Sequence, residues 1–199
     1  METVNRGHLV LLMAPSGSGK SALLSHLRER VPELHFAVSC TTRAMRPGER
    51  DGDVYHFVSD AQFEAYITEG KFLEWAVYSN NKYGTLRTEI IERMNRGEVV
   101  IREVELQGIQ SILGLLPRER ITILYIDGGD WETLKARIQK RAPIGDEELL
   151  LRYERYMHET EARHLADIVI ENTEGNIDAA QGEIVEVLKR IIEKNASHA

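Results

Sequence analysis

The stretch Leu9–Leu24, LVLLMAPSGSGKSALL, carries an unbroken apolar run into a short serine-glycine loop and out into a segment with apolar residues at helical spacing. A continuous apolar run closed by a turn reads as a buried strand of a parallel sheet, and GKSALLSHLRERV reads as a helix. The expected unit is therefore strand, glycine loop, helix. In that context the free N–H groups and the positive dipole end of the helix point at an anion, as a phosphate-binding loop requires. Written strictly, the pattern is Gly, four residues, Gly, Lys, then Ser or Thr. Counting back from Gly19-Lys20-Ser21 puts Ala14 where the first glycine belongs.

Such a loop aims backbone N–H groups at phosphate oxygens, and glycine leaves them the room. Ala14, Pro15, Ser16, Gly17, Ser18, Gly19, Lys20 and Ser21 are the expected phosphate-binding residues, with Lys20 reaching the β- and γ-phosphates and the Ser21 hydroxyl facing Mg2+. At Ala14 the extra methyl costs little if φ is negative, and is strained by roughly 1 kcal/mol if φ is positive. A negative φ is expected.

Further strands are expected at EVVIREV, ITILYID and DIVIEN, separated by the helical patterns WETLKARIQKR and IDAAQGEIVEVLKRII. Strands alternating with helices imply an α/β fold, a mostly parallel sheet of the phosphate-loop NTPase type with helices on both faces. Asn176 is the expected N-cap of the last helix. Residues 36–85, rich in Tyr, Phe and short β-like runs, read as a small mostly-β insertion. Residues 137–163, rich in Arg and Glu and broken by Pro143 and Gly145, read as a helical lid, which leaves 1–35, 86–136 and 164–199 as the core of a single domain.

Composition narrows the partners. A formal net charge of −7 argues against a nucleic-acid polymer, whose binders carry a basic excess, but not against small anions held by local arginines. The apolar run at Leu9–Pro15 is far short of the roughly 20 residues of a membrane span. METVNRG lacks the layout of a secretory signal, and the one cysteine, Cys40, permits no internal disulfide, so a reducing cytoplasmic setting is expected.

The stretch Ser39–Phe57, SCTTRAMRPGERDGDVYHF, holds Thr41, Thr42, Arg43, Arg46, Glu49, Gly52, Tyr55 and Phe57 at fixed spacing. Arg43 and Arg46 present two guanidinium forks that suit a phosphate dianion, and Tyr55 adds a hydroxyl donor. This pattern meets in full the signature of the guanylate kinases, which the chain resembles from its first strand through FLEW, YGT and EVELQG to the terminal IVIEN. The resemblance implies transfer of a phosphoryl group from ATP to GMP, and to dGMP, with Mg2+ as cofactor.

The resemblance also assigns residues. Glu74 would read guanine, since a carboxylate accepts from the ring N1–H and the exocyclic N2–H2 together. Ser39, Thr85 and Glu105 would lie around the base, with Tyr83 beside the monophosphate. Glu103, at the end of an apolar strand, would organise hydrated Mg2+ with Ser21. Arg137, Arg141 and Arg152 match lid arginines that act with Lys20 and Arg43 in catalysis, and Asn172 matches an asparagine near the adenine of ATP.

This chain departs from the family pattern where Arg141-Ala142-Pro143 replaces Arg-Gly-Thr, a stiffer lid hinge, and where SNNKYGT puts Asn80 and Lys82 near the nucleotide. His158 and His164 have no partners at ligand spacing and read as surface or packing residues. Cys40 sits beside the signature arginines, which would lower its pKa. Two other readings remain open: a guanylate-kinase-like interaction domain that has lost catalysis, against which the intact Gly-Lys-Ser counts, and a phosphate-loop kinase with another acceptor, which has no need of Glu74.

Overall fold

The computed structural model describes residues 6–78, 80–104, 106–141, 143–173 and 176–197. Glu105, Ala142 and the side chain of Arg141 fall outside the described residues.

Strand β1 (His8–Met13) lies at the centre of a five-stranded sheet whose order is β2-β7-β1-β8-β9. Its partners are β2 (His35–Phe36), β7 (Val99–Glu103), β8 (Ile121–Asp127) and β9 (Ile168–Glu171). Every pairing in this sheet is parallel. The apolar run that begins at Leu9 explains β1's central place. Alternate side chains point to opposite faces, so Leu9, Leu11 and Met13 enter one core while Val10, Leu12 and Ala14 enter another. Helix α1 (Lys20–Arg30) contributes Leu23 and Leu27 to the second core, and α7 (Ile177–Ala196) contributes Ala180, Ile184, Val187 and Leu188. Helix α4 (Leu106–Leu115) covers the opposite face with Ile109 and Ile112.

A smaller four-stranded sheet of order β4-β3-β6-β5 follows β2. Strands β3 (Ser39–Thr41) and β4 (Tyr55–Phe57) pair in parallel; β6 (Asn81–Leu86) runs antiparallel to both β3 and β5 (Phe72–Tyr78). The β-rich reading of this segment did not include α2 (Asp60–Thr68). That helix forms because Ser59 caps it, accepting from the Gln62 N–H at 3.2 Å, and because it buries Phe63 against Phe72 under the sheet.

A π-helical turn at Thr88–Glu92 runs into the single turn α3 (Arg93–Asn95) before β7. Helices α5 (Trp131–Arg141) and α6 (Asp146–Glu161) stand on either side of the break that Pro143 and Gly145 mark in the sequence. Asn176 does occupy the N-cap of α7, but without a side-chain cap bond. Its carbonyl takes the first helical bond, from Ala180 N–H at 3.0 Å, while its amide lies 3.5 Å from the Glu171 carbonyl.

Candidate active site

The loop between β1 and α1 is shaped by its glycines. Gly17 has φ 87° and Gly19 φ 86°, a left-handed backbone that side chains disfavour. Among the described residues only Asn80 (φ 62°) adopts a positive φ without being glycine, so Ala14 keeps the ordinary backbone expected of it and its methyl packs into the core. Gly19 is restricted by space as well, since a Cβ there would come within 2.3 Å of the Asn172 amide nitrogen. It is also the N-cap of α1, with no side-chain cap bond and no acidic residue in the first turn. No side chain therefore caps the start of α1, and no acidic residue of its own first turn offsets the positive end of the helix.

Two contacts tie the loop to the sheet ends. Asn172, 4% exposed beyond β9, donates its side-chain amide to the Ser18 carbonyl at 2.6 Å. Lys20, on the first turn of α1, makes a 3.0 Å ion pair with Glu103 at the end of β7. The parallel register sets Glu103 opposite Leu12, one residue before β1 gives way to the loop, which is why a strand-end carboxylate meets the loop lysine. Ser21 is exposed beside them. A hydroxyl and a carboxylate are oxygen donors of the kind Mg2+ takes when waters and phosphates supply the rest, so these residues fit that ion. Among the described residues there is no cluster of three or more His, Cys, Asp or Glu suited to an all-protein metal site.

The residues expected around the acceptor nucleotide form a row across the smaller sheet. Tyr55 pairs with Ser39, Ser39 with Thr85, and Thr85 with Glu74, so one residue from each of β4, β3, β6 and β5 stands in line. Tyr83 lies two residues from Thr85, hence on the same face of β6. Glu74 accepts from the Thr85 hydroxyl and from Arg102 Nη2, both at 2.7 Å and both on Oε1. Arg102 is a residue that the sequence reading did not single out. Its only signal there is a cation at the end of the apolar run VVI.

Arg43 is held by its own signature. Its guanidinium makes a two-pronged pair with Glu49 at 2.8 and 3.0 Å and lies over the rings of Tyr55 and Phe57. The Glu49 bond raises the Arg43 pKa above its ordinary value, and the same bond holds the Glu49 carboxyl below the usual range. Arg46, exposed, donates its backbone N–H to Glu49 at 2.7 Å. Glu49 thus holds the Arg43 guanidinium and the backbone at Arg46, a role its place in the signature did not disclose.

From the helices beyond β8, Arg152 on α6 donates to the Ser16 hydroxyl at 3.0 Å across 136 residues of sequence, and it pairs with Glu148 one turn earlier. Arg137 on α5 donates to the Asn172 carbonyl at 3.1 Å. Both therefore converge on the phosphate loop and its brace. His158 and His164 are exposed. Cys40 behaves opposite to expectation. Burial, then the charges of Glu89 and Asp51, push its thiol up to about 11, because it points into the small core with Phe63 and Phe72 and not toward the arginines.

The family model described as guanylate kinase matches residues 6–195. The chain belongs to the guanylate kinase family. It is 36% identical to the guanylate kinase of Rubrobacter xylanophilus over 95% of this chain and 97% of that relative. It is 41% identical to the guanylate kinase of Mycolicibacterium paratuberculosis, covering 92% of this chain and 81% of the other. A crystal structure of guanylate kinase from Anaplasma phagocytophilum superposes with a TM-score of 0.70 at 25% identity, covering 96% of this chain and 88% of that one. The α/β fold is that of a guanylate kinase, and among the described residues no helix is long and apolar enough to cross a membrane.

Proposed function

We infer that this guanylate kinase transfers the γ-phosphoryl group of ATP to GMP, giving ADP and GDP, in the cytoplasm and with Mg2+. The observation that carries the reading is the row Tyr55–Ser39–Thr85–Glu74, a line of hydroxyls ending in a carboxylate on a separate sheet from the phosphate loop. Two anion-binding regions on two sheets suit a donor triphosphate and an acceptor monophosphate brought face to face.

ATP phosphates lie on the backbone N–H groups of Gly17, Gly19 and Lys20, and the Lys20 ammonium leaves Glu103 to meet the β- and γ-oxygens. Ser21 and, through water, Glu103 would hold Mg2+, which when bound would offset the charge of the phosphates. Arg43 and Arg46 hold the acceptor phosphate with Tyr55 and Tyr83; Glu74 accepts from the N1–H and N2–H2 of guanine. No general base is needed, because a phosphate monoester has a second pKa near 6 and its attacking oxygen is largely ionised at neutral pH. Arg137 and Arg152 neutralise charge that spreads over the transferred group, and Arg141 is assigned the same part from its place in the sequence. The experiment is a coupled ADP-release assay with GMP, dGMP, AMP, UMP and CMP as acceptors. Turnover confined to the guanine nucleotides is expected, and folded protein with Mg2+ that leaves GMP untouched overturns the reading.

A further inference from the structure

Arg102 is buried, its side chain 10% exposed, yet only part of its guanidinium is used within the chain. Nη2 pairs with Glu74 at 2.7 Å, whereas Nε and Nη1 are buried with no partner among the described residues. An unmet buried donor is costly, and more so on a charged group, so these nitrogens call for a partner that the chain alone does not supply. A cleft of about 60 Å3 is lined by Arg102, by Ser39 and Tyr55 of the acceptor row, and by Leu24 and Arg28 of α1.

We propose that Arg102 is a base-recognition residue of the acceptor site, its unpartnered Nη1, on the same terminal edge as Nη2, donating to O6 of the purine while Nη2 steadies Glu74. The proposal rests on the reading that GMP is the acceptor. Guanine carries donors at N1 and N2 beside an acceptor at O6, and an arginine N–H is matched to that oxygen. Glu74 and Arg102 joined by one hydrogen bond present the complement of that edge, a carboxylate for the donors and a guanidinium for the oxygen. Adenine fails at both ends, because its 6-amino group would face the guanidinium donors and its N1 has no proton for Glu74.

The test varies the acceptor against the full chain at saturating ATP and Mg2+. GMP and IMP both carry O6; 6-thioguanosine monophosphate keeps the N1–H and the 2-amino group but carries a weakly accepting sulfur in place of O6, and is measured as acceptor or as competitive inhibitor. Arg102→Met is expected to raise KM for GMP and for IMP roughly ten- to a hundredfold, with kcat and the KM for ATP within about twofold. Its affinity for the 6-thioguanine nucleotide should stay near that of the unchanged protein. Arg102→Lys, which keeps the charge with a different donor geometry, should recover part of the loss. It also decides the matter through the same GMP to 6-thioguanine ratio if the methionine variant does not fold. An equal loss for all three acceptors would mean that Arg102 only props Glu74, and an unmoved KM for GMP would mean that it takes no part; either overturns the proposal. A wild-type chain that does not phosphorylate GMP fails before any variant is made, and that result counts against the proposed function itself.

Discussion

Asn172 donates its side-chain amide to the carbonyl of Ser18 at 2.6 Å, both residues being buried and 154 positions apart. The contact joins the end of β9 to the middle of the phosphate loop, and the space it occupies is the reason that position 19 has no room for a side chain. Resemblance alone places Asn172 near adenine; the geometry gives it a brace under the loop. Asn172→Ala should leave the Ser18 carbonyl unpaired and cost about 1–3 kcal/mol of stability. Chemical denaturation measures the loss, and a raised KM for ATP with little change for GMP should accompany it. A variant as stable as the parent would show that the bond braces nothing.

Lys20 and Glu103 are paired at 3.0 Å on partly exposed side chains, so the bond itself contributes little to stability. Lys20→Ala is expected to lower kcat on the order of a hundredfold or more, since preorganised charge on the transferred group is lost. GMP affinity, measured by calorimetry without ATP, should stay near normal because the acceptor row lies on the other sheet. Equal loss of both would mean that the two sites are misassigned.

Glu49 fixes the Arg43 guanidinium through two hydrogen bonds and accepts a third from the backbone N–H of Arg46. Glu49→Gln should release the Arg43 fork and raise KM for GMP about tenfold, the scale of one charge-assisted bond. The melting temperature should hardly move, as the pair faces solvent on the Glu49 side. A KM unchanged within error would show that Arg43 needs no such support.

His8 supplies a pH dependence. Burial, followed by the charges of Arg120 and Lys194, lowers its pKa from 6.5 to about 4, and its ring Nε2 lies 2.8 Å from the Thr122 hydroxyl. Between those two values the unfolded chain binds more protons than the folded one, so stability falls as pH drops through the window and is fully present above it. The loss is about 2 kcal/mol once solvent screening of this part-buried ring is allowed for. Urea midpoints at about pH 7 and about pH 5 should differ for the native chain and differ less for His8→Gln; parallel declines would assign the effect to other groups.

The strand-loop-helix unit, the unbroken apolar run of β1 and the helical pattern of α7 were legible because each is a local pattern. Burial acts on side chains at a period of two or 3.6 residues, and a single strand or helix displays it whatever its neighbours are. Ala14 was readable for the same reason, its conformation depending only on where the strand ends. The guanylate-kinase signature was legible as a spacing, and the sheet register turned Ser39, Tyr55, Thr85 and Glu74 into one row. The partners of those residues were not readable. Which cation meets Glu74, which carboxylate holds Arg43, and what Asn172 and Arg152 touch depend on which strand ends and helices come together. Periodicity carries no trace of that. Cys40 shows the same divide: its sequence neighbours are arginines, but strand β3 turns its thiol into a dry core, and burial rather than adjacency decides its chemistry.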